Sequence, residues 1–168
     1  SLKEAIGLMA THKSSARLLA GGTDLIVLMR ARRKRPELVI DAKHIPELTE
    51  LKINQEGLSI GASVSCRTIY ENDQIAESYP ALVDSTSLVG GIQVQGRASI
   101  GGNLCNAAPS ADSIPTLMVL GAIANVVSDR GERQIPVEEF CVAPGQTVLE
   151  DDEILVNVTV PAPAANSG

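Results

Sequence analysis

Two pairs of consecutive glycines are the residues of this sequence whose type and spacing could do chemistry. The first pair lies in Ala20-Gly21-Gly22-Thr23-Asp24 and the second in Ser99-Ile100-Gly101-Gly102-Asn103. A diphosphate needs several backbone N–H donors that converge on one place, with no Cβ atom in its way, and glycines between a strand and a helix supply both. Gly-Gly before a helix is also a common tight turn, so one pair alone indicates little. If the two pairs lie in two different lobes of the fold, they predict a dinucleotide that is bound between the lobes.

The elements around the first pair form a recognisable unit. The apolar run 17–20 predicts a buried strand that ends at Gly21-Gly22, and Thr23 is the expected N-cap of a helix over 24–33. Residues 37–41 predict a second strand. Strand, glycine turn, helix and strand make a β-α-β unit, so the two strands should be parallel.

The remaining pattern predicts a second lobe. Ser1 and Glu4 have capping-box spacing for a helix at the start of the chain. Beyond residue 56 we expect strands over 57–62, 122–128, 133–137 and 153–160, helices over 80–88 and 112–120, and a polar loop after Gly102. The predicted fold class is α+β, with a first lobe over 1–55, a second over 56–161, and a linker over 162–168 that leads to an absent C-terminal domain.

Composition excludes several classes of function. The net charge is −6, with one Phe, two Tyr and no Trp, so a nucleic acid would find neither a cationic surface nor stacking rings. No apolar run approaches the roughly 20 residues of a membrane span. Three scattered cysteines and two histidines argue against a disulfide framework, an iron–sulfur cluster and a zinc site. We therefore expect a cytoplasmic protein with no metal site, whose redox cofactor, if it has one, is organic.

The longer motifs around the glycine pairs carry a family resemblance. Neither pair has the G-x-G-x-x-G or Walker pattern. Residues 18–25 instead resemble the first FAD motif of the molybdenum hydroxylase flavoproteins, a family that includes carbon monoxide and xanthine dehydrogenases. Residues 96–104 with 106–112 resemble the second motif, and 152–161 resembles the closing strand. The resemblance covers nearly the whole chain.

This resemblance implies a p-cresol methylhydroxylase-type fold with FAD between two α/β lobes. The implied FAD-binding residues of the first motif are Leu18, Leu19, Ala20, Gly21, Gly22, Thr23, Asp24 and Leu25, which would wrap the diphosphate with backbone donors. Those of the second motif, which would complete the cradle, are Ala98, Ser99, Ile100, Gly101, Gly102 and Asn103. Asp112 would accept hydrogen bonds from the adenosine ribose, and Leu155 would be an apolar contact to the flavin or adenine end. No catalytic side chain and no metal ligand is implied. Val89 stands where the xanthine dehydrogenase branch has an aromatic ring.

The resemblance also implies a role in electron transfer. A molybdopterin-binding large subunit would hydroxylate the substrate, and [2Fe–2S] clusters in an iron–sulfur small subunit would pass electrons to FAD. NAD, oxygen or a quinone would be the external acceptor. Family members continue for about one further domain, so we expect this chain alone to bind FAD weakly or not at all. Two alternatives stay open, a stand-alone FAD oxidoreductase of the same fold and a non-catalytic interaction module.

Overall fold

The computed structural model describes residues 1–164. In chain order its α-helices are α1 (Leu2–His12), α2 (Leu25–Arg30), α3 (Pro46–Thr49), α4 (Cys66–Tyr70), α5 (Asp73–Ser78), α6 (Pro80–Ser87), α7 (Ile92–Gln95), α8 (Ile100–Asn106), α9 (Ser113–Val119) and α10 (Val137–Phe140). Its strands are β1 (Ala16–Leu19), β2 (Leu38–Asp41), β3 (Leu51–Asn54), β4 (Gly57–Gly61), β5 (Ile123–Ser128), β6 (Gly131–Pro136), β7 (Cys141–Ala143), β8 (Gln146–Thr147) and β9 (Ile154–Pro161). Single 3-10 turns cover Lys13–Ser15 and Ala42–His44.

The β-α-β unit around the first glycine pair is confirmed. Strands β1 and β2 are parallel, in a register that runs from Ala16 opposite Leu38 to Leu19 opposite Asp41. Helix α1 precedes them, and the Oγ of Ser1 accepts a hydrogen bond from the N–H of Glu4 at 3.3 Å, as the capping spacing predicts.

Helix α2 differs from its prediction at both ends. It begins after Asp24, whose side chain forms no capping hydrogen bond, so the prediction of Thr23 as N-cap is wrong. It ends at Arg30 because Arg32 adopts φ 57°. This left-handed residue turns the chain back, so that Arg33 and Lys34 both donate their N–H to the carbonyl of Leu28, at 2.9 and 3.3 Å. The predicted extension to residue 33 is therefore also wrong.

The larger sheet has the strand order β3-β4-β9-β5-β6, and each neighbouring pair is antiparallel. Its buried face consists of alternate apolar residues, which pack against α4 to α6 and α8 to α10: Leu58, Ile60, Ala124, Val126, Val158 and Val160. The hairpin of β5 and β6 turns at Asp129-Arg130-Gly131, as the sequence predicts. Strand β3 was not predicted; it pairs with β4 from Leu51 opposite Ile60 to Asn54 opposite Gly57.

The second glycine pair lies inside a helix rather than in the predicted loop. Gly101 and Gly102 occupy the first turn of α8. Ser99 is the N-cap, and its Oγ accepts a hydrogen bond from the N–H of Gly102 at 3.1 Å. This cap and the burial of Ile100 and Leu104 outweigh the low helix propensity of glycine.

The two lobes share part of their packing. A small core joins Ala5 and Met9 of α1 to Val127 and Ile154 of the large sheet. The boundary proposed at residue 55 falls in the turn between β3 and β4, so β3 belongs structurally to the second sheet. The division into lobes stays a proposal, and residues 165–168 of the predicted linker lie outside the described part of the chain.

Candidate functional site

An open cleft with a volume of about 190 Å³ separates the two glycine motifs. One wall consists of residues from the first motif, namely Leu18, Ala20, Gly21, Gly22, Thr23, Asp24 and Leu25. The other wall contains Ala98, Ser99, Gly102 and Asn103 from the second motif, together with Val89. The fold therefore brings together two segments that are about half the chain apart, as a dinucleotide site between lobes requires.

A more apolar compartment of about 190 Å³ continues from this cleft. The two spaces share five lining residues, namely Arg17, Leu18, Ala20, Gly102 and Cys105. The compartment adds Gly101 and Leu155, and Leu155 is 4% exposed. The groove thus offers a polar end beside the glycine loop and an apolar end beside strand β9.

The first glycine loop presents a row of free backbone donors. Within residues 1–164, the N–H groups of Gly21, Gly22, Thr23 and Asp24 donate no hydrogen bond. Gly22 has φ 74°, a left-handed conformation that lets successive N–H groups converge, and no side chain caps the helix that follows. Such a row is typical of an anion-binding concavity. Because α2 is only six residues long, an anion bound here would be held by the loop donors rather than by a helix dipole.

The second motif contributes differently, because the backbone donors of both its glycines and of Asn103 are already used. Gly101 donates to the carbonyl of Ala62 at 3.2 Å, and Asn103 donates to the carbonyl of Ser99 at 2.9 Å. The side chain of Asn103 is fixed on the cleft wall, since its Oδ1 accepts a hydrogen bond from the Oγ of Ser113 at 2.6 Å. Its Nδ2 has no partner among residues 1–164 and is free to donate to a ligand.

Several of the glycines are also required by the packing of the lobes. A Cβ on Gly21 would lie 2.2 Å from the carbonyl oxygen of Arg97. A Cβ on Gly22 would lie 2.7 Å from Cδ1 of Ile26. A side chain on Gly21 would therefore force the backbone of Arg97 to move, and one on Gly22 would displace the end of Ile26 and adopt a strained φ of 74°, whereas Gly102 would contact only the Oγ of Ser99, at 3.0 Å.

Two cations that the sequence motifs do not include line the polar end of the groove. Arg17 is held beside the first motif because its Nη1 donates to the carbonyls of Ser14 and Ala16, at 2.8 and 2.6 Å. Lys34 follows the C-terminal end of α2 and borders the same cleft. Positive charge of this kind favours a diphosphate. Arg17 immediately precedes the first motif, and this adjacency is the signal that could have identified it.

Three of the residues selected from sequence do not line either space. Leu19 supports the loop, since its Cδ1 would lie 3.0 Å from a Cβ on Gly22. Ile100 is fully buried in the core. Asp112 is exposed at the start of α9, and its proposed contact with a ribose stays a prediction. Cys105 and Asn106, by contrast, line the groove and were not selected.

The described residues show neither a disulfide nor a metal site. Cys66, Cys105 and Cys141 are free thiols. Residues 1–164 contain no group of three or more His, Cys, Asp or Glu side chains that could hold a metal ion. No helix in that range is long and apolar enough to cross a membrane.

Comparison with known proteins gives consistent similarities. Residues 1–163 match the family model described as the FAD binding domain in molybdopterin dehydrogenase. The chain is 33% identical to the caffeine dehydrogenase subunit beta of Pseudomonas sp. (strain CBB1), over 100% of this chain and 57% of that protein. It is 35% identical to the xanthine dehydrogenase FAD-binding subunit of Escherichia coli O157:H7, over 93% of this chain and 53% of that subunit.

Two solved structures are also similar to this chain over nearly its whole length. A carbon monoxide dehydrogenase chain from Hydrogenophaga pseudoflava superimposes with a TM-score of 0.94 and 31% identity, over 98% of this chain and 57% of that one. Quinoline 2-oxidoreductase from Pseudomonas putida 86 gives a TM-score of 0.93, with 31% identity and the same coverage. The chain spans little more than half the length of these relatives.

Proposed function

Because this chain belongs to the family of FAD-binding domains in molybdopterin dehydrogenases, we propose that it is the FAD-binding part of an electron-transfer subunit in a molybdenum-containing hydroxylase or dehydrogenase. The family match and the TM-score of 0.94 confirm the predicted α+β FAD-binding fold. The proposal includes the residues of this chain that would contact FAD. It also includes the partner subunits and the electron acceptor.

The observation that carries the proposed site is the row of four free N–H groups from Gly21 to Asp24 on one wall of the groove. Four donors in a glycine loop fit the diphosphate of a dinucleotide, and Arg17 and Lys34 supply positive charge beside them. The groove therefore fits FAD at its phosphate end. Ser99 and Asn103 would contact the cofactor from the second lobe, and Leu155 would be an apolar contact in the adjoining compartment.

The proposed function needs no acid–base or nucleophilic residue from this chain. FAD, when bound, supplies the electron-carrying chemistry. The first lobe binds and orients the diphosphate through backbone donors, and the apolar compartment around Leu155 excludes water from the part of the cofactor that enters it. This division explains why the residues at the groove are glycines, small polar residues and aliphatic residues.

We further propose that electrons reach FAD from [2Fe–2S] clusters in an iron–sulfur small subunit, after a molybdopterin-binding large subunit has oxidised the substrate. The electrons would then leave to an external acceptor. The support comes from relatives whose names place them in assemblies of several chains, such as the carbon monoxide dehydrogenase medium chain of Hydrogenophaga pseudoflava, which is 30% identical over 100% of this chain.

Isolation of the full-length protein under native conditions tests this proposal. We expect FAD, molybdenum and iron to co-elute in a constant ratio, together with two further polypeptides. The Gly22→Val variant should retain the metals and lose FAD, because the side chain is incompatible with the loop conformation. A protein that carries FAD but elutes without molybdenum, iron or other chains would contradict the proposal and favour a stand-alone FAD oxidoreductase.

A further inference from the structure

Gly21 and Arg97 form a contact that joins the phosphate loop of the first lobe to the second lobe. The Cα of Gly21 is so close to residue 97 that a Cβ there would lie 2.2 Å from the carbonyl oxygen and 2.6 Å from the carbonyl carbon of Arg97. In the opposite direction, the Nε of Arg97 donates a hydrogen bond to the carbonyl oxygen of Gly21 at 3.2 Å. The backbone of Arg97 therefore packs against Gly21, and its side chain binds the Gly21 carbonyl.

This hydrogen bond has a geometric consequence for the donors of the loop. The carbonyl of Gly21 and the N–H of Gly22 belong to one planar peptide group, so fixing the direction of the carbonyl also fixes the direction of the N–H. The N–H of Gly22 is one of the four free donors at the cleft. A glycine loop has little intrinsic rigidity, and a contact from the other lobe can therefore set the orientation of this donor.

The charge of Arg97 also acts on the neighbouring part of the first lobe. The hydrogen bond from His44 is the main cause that lowers the pKa of the Asp41 carboxyl, and the charge of Arg97 makes the smallest contribution in the same direction. Burial lowers the pKa of Lys43, and the positive charge of Arg97 lowers it further. Lys43 crosses between the lobes in the other direction, since its Nζ donates to the carbonyl of Ser63 at 3.1 Å. Arg97 and Lys43 are thus two cations that connect the lobes beside the groove.

We propose that Arg97 is a positioning residue, which orients the Gly21–Gly22 peptide from the second lobe and so sets the affinity of the first lobe for a diphosphate. This inference rests on the proposed function, because it assumes that a diphosphate binds at Gly21–Asp24. It adds that a side chain of the second lobe acts on the phosphate loop of the first, and this side chain lies outside the sets of residues selected from the two motifs.

The test uses three variants of the full-length apoprotein. Arg97→Met keeps most of the side-chain length and removes every donor, whereas Arg97→Lys restores one donor. Arg67→Met is the matched control, because Arg67 is an exposed arginine of the same lobe whose Nε pairs with Glu71 at 2.7 Å, on the surface of α4. Affinities for FAD, ADP and adenosine are measured by calorimetry, and the melting temperature of each variant is recorded.

We expect Arg97→Met to weaken binding of FAD and ADP about tenfold, the scale of one hydrogen bond to a charged group. Adenosine, which lacks a diphosphate, should bind equally well to all the proteins. Arg97→Lys should recover part of the loss, and Arg67→Met should match the wild type.

Two outcomes would overturn the role of Arg97. One is an ADP affinity of Arg97→Met within twofold of the wild-type value. The other is an equal loss of affinity for adenosine and ADP, which would indicate that the variant only loosens the lobes. A wild-type protein that binds neither FAD nor ADP would instead overturn the proposed function, and the inference with it.

Discussion

Gly101 lies against Ala62 so closely that a Cβ on Gly101 would stand 2.5 Å from both the Cβ and the carbonyl oxygen of Ala62. The N–H of Gly101 also donates to that carbonyl at 3.2 Å. Ala62 follows β4, so this contact fastens α8 to the large sheet. Gly102 is exposed at the cleft and would meet only the Oγ of Ser99. The two adjacent glycines therefore have different roles. Gly101 packs α8 against the large sheet, and Gly102 borders the proposed site.

The first prediction compares these neighbours. Gly101→Ala should lower the free energy of unfolding by about 1–3 kcal/mol, because the added methyl group overpacks the contact with Ala62. Gly102→Ala should change stability by less than about 1 kcal/mol, since alanine favours the helix, while it weakens FAD binding by narrowing the cleft. Urea denaturation and FAD titration of both variants measure these effects. If Gly102→Ala were less stable than Gly101→Ala, the contact with Ala62 would not be what restricts position 101 to glycine.

The second prediction concerns the left-handed conformation of Gly22, with φ 74°. Gly22→Ala should destabilise the protein by about 1–2 kcal/mol through backbone strain and should also weaken FAD binding. Gly121 is a matched control, because it has φ 64°, a Cβ added to it would meet no atom within 4 Å, and it lies outside the groove. Gly121→Ala should show a similar loss of stability and an unchanged FAD affinity. Equal FAD affinities for the two variants would refute a specific role for the loop.

The third prediction concerns acid stability. Arg133 binds Glu153 through Nε to Oε1 at 2.6 Å and Nη2 to Oε2 at 2.7 Å, and these hydrogen bonds lower the pKa of Glu153 below its ordinary 4.5. The ionised form therefore stabilises the fold above pH 4.5, and this contribution is lost as the pH falls through the lower folded-state pKa.

Glu153→Gln tests this linkage. The variant should be less stable than the wild type by roughly 2 kcal/mol at neutral pH, and the difference should shrink on acidification. Urea denaturation between neutral pH and about pH 3, below the ordinary carboxyl pKa, measures it, with exposed Glu138→Gln as the control. A stability difference between Glu153→Gln and the wild type that does not change with pH would contradict the assignment.

The fourth prediction uses the side chain of Asn103. Asn103→Asp retains an oxygen that can accept the hydrogen bond from Ser113, so the fold should be maintained. The new carboxylate would face the diphosphate, and FAD binding should weaken about tenfold at low ionic strength. The decrease in FAD affinity should be smaller at high salt concentration, because exposed charges are then screened. A loss that is independent of salt would point to the missing Nδ2 donor rather than to charge.

Local signals were sufficient for much of the fold. Glycine turns, the Asp129-Arg130-Gly131 turn and the periodicity of apolar residues located β1, β2, the β5–β6 hairpin and β9 to within a few residues. These features depend on residues close in sequence. Strand β3 was missed, and its pairing with β4 defines it.

The error at α8 has a tertiary origin, whereas α2 ends where Arg32 adopts a left-handed conformation. The glycines of α8 oppose a helix locally, yet Ser99 caps it and Gly101 fits against Ala62. In the proposed site, the motif residues were selected from sequence because glycine pairs and the family resemblance mark them. The contact between Gly21 and Arg97 spans 76 positions and has no local signal. The sequence therefore located the loop, and the structure was needed to show what holds it in place.

The FAD stoichiometry of the full-length protein is the most direct test of the proposed site. Apoprotein is incubated with excess FAD, freed of unbound cofactor, and measured by visible absorbance and circular dichroism. We expect flavin bands that correspond to about one FAD per polypeptide, and their loss in Gly22→Val with the far-ultraviolet spectrum retained. A folded wild-type protein without flavin bands would contradict the central claim that the glycine groove binds FAD.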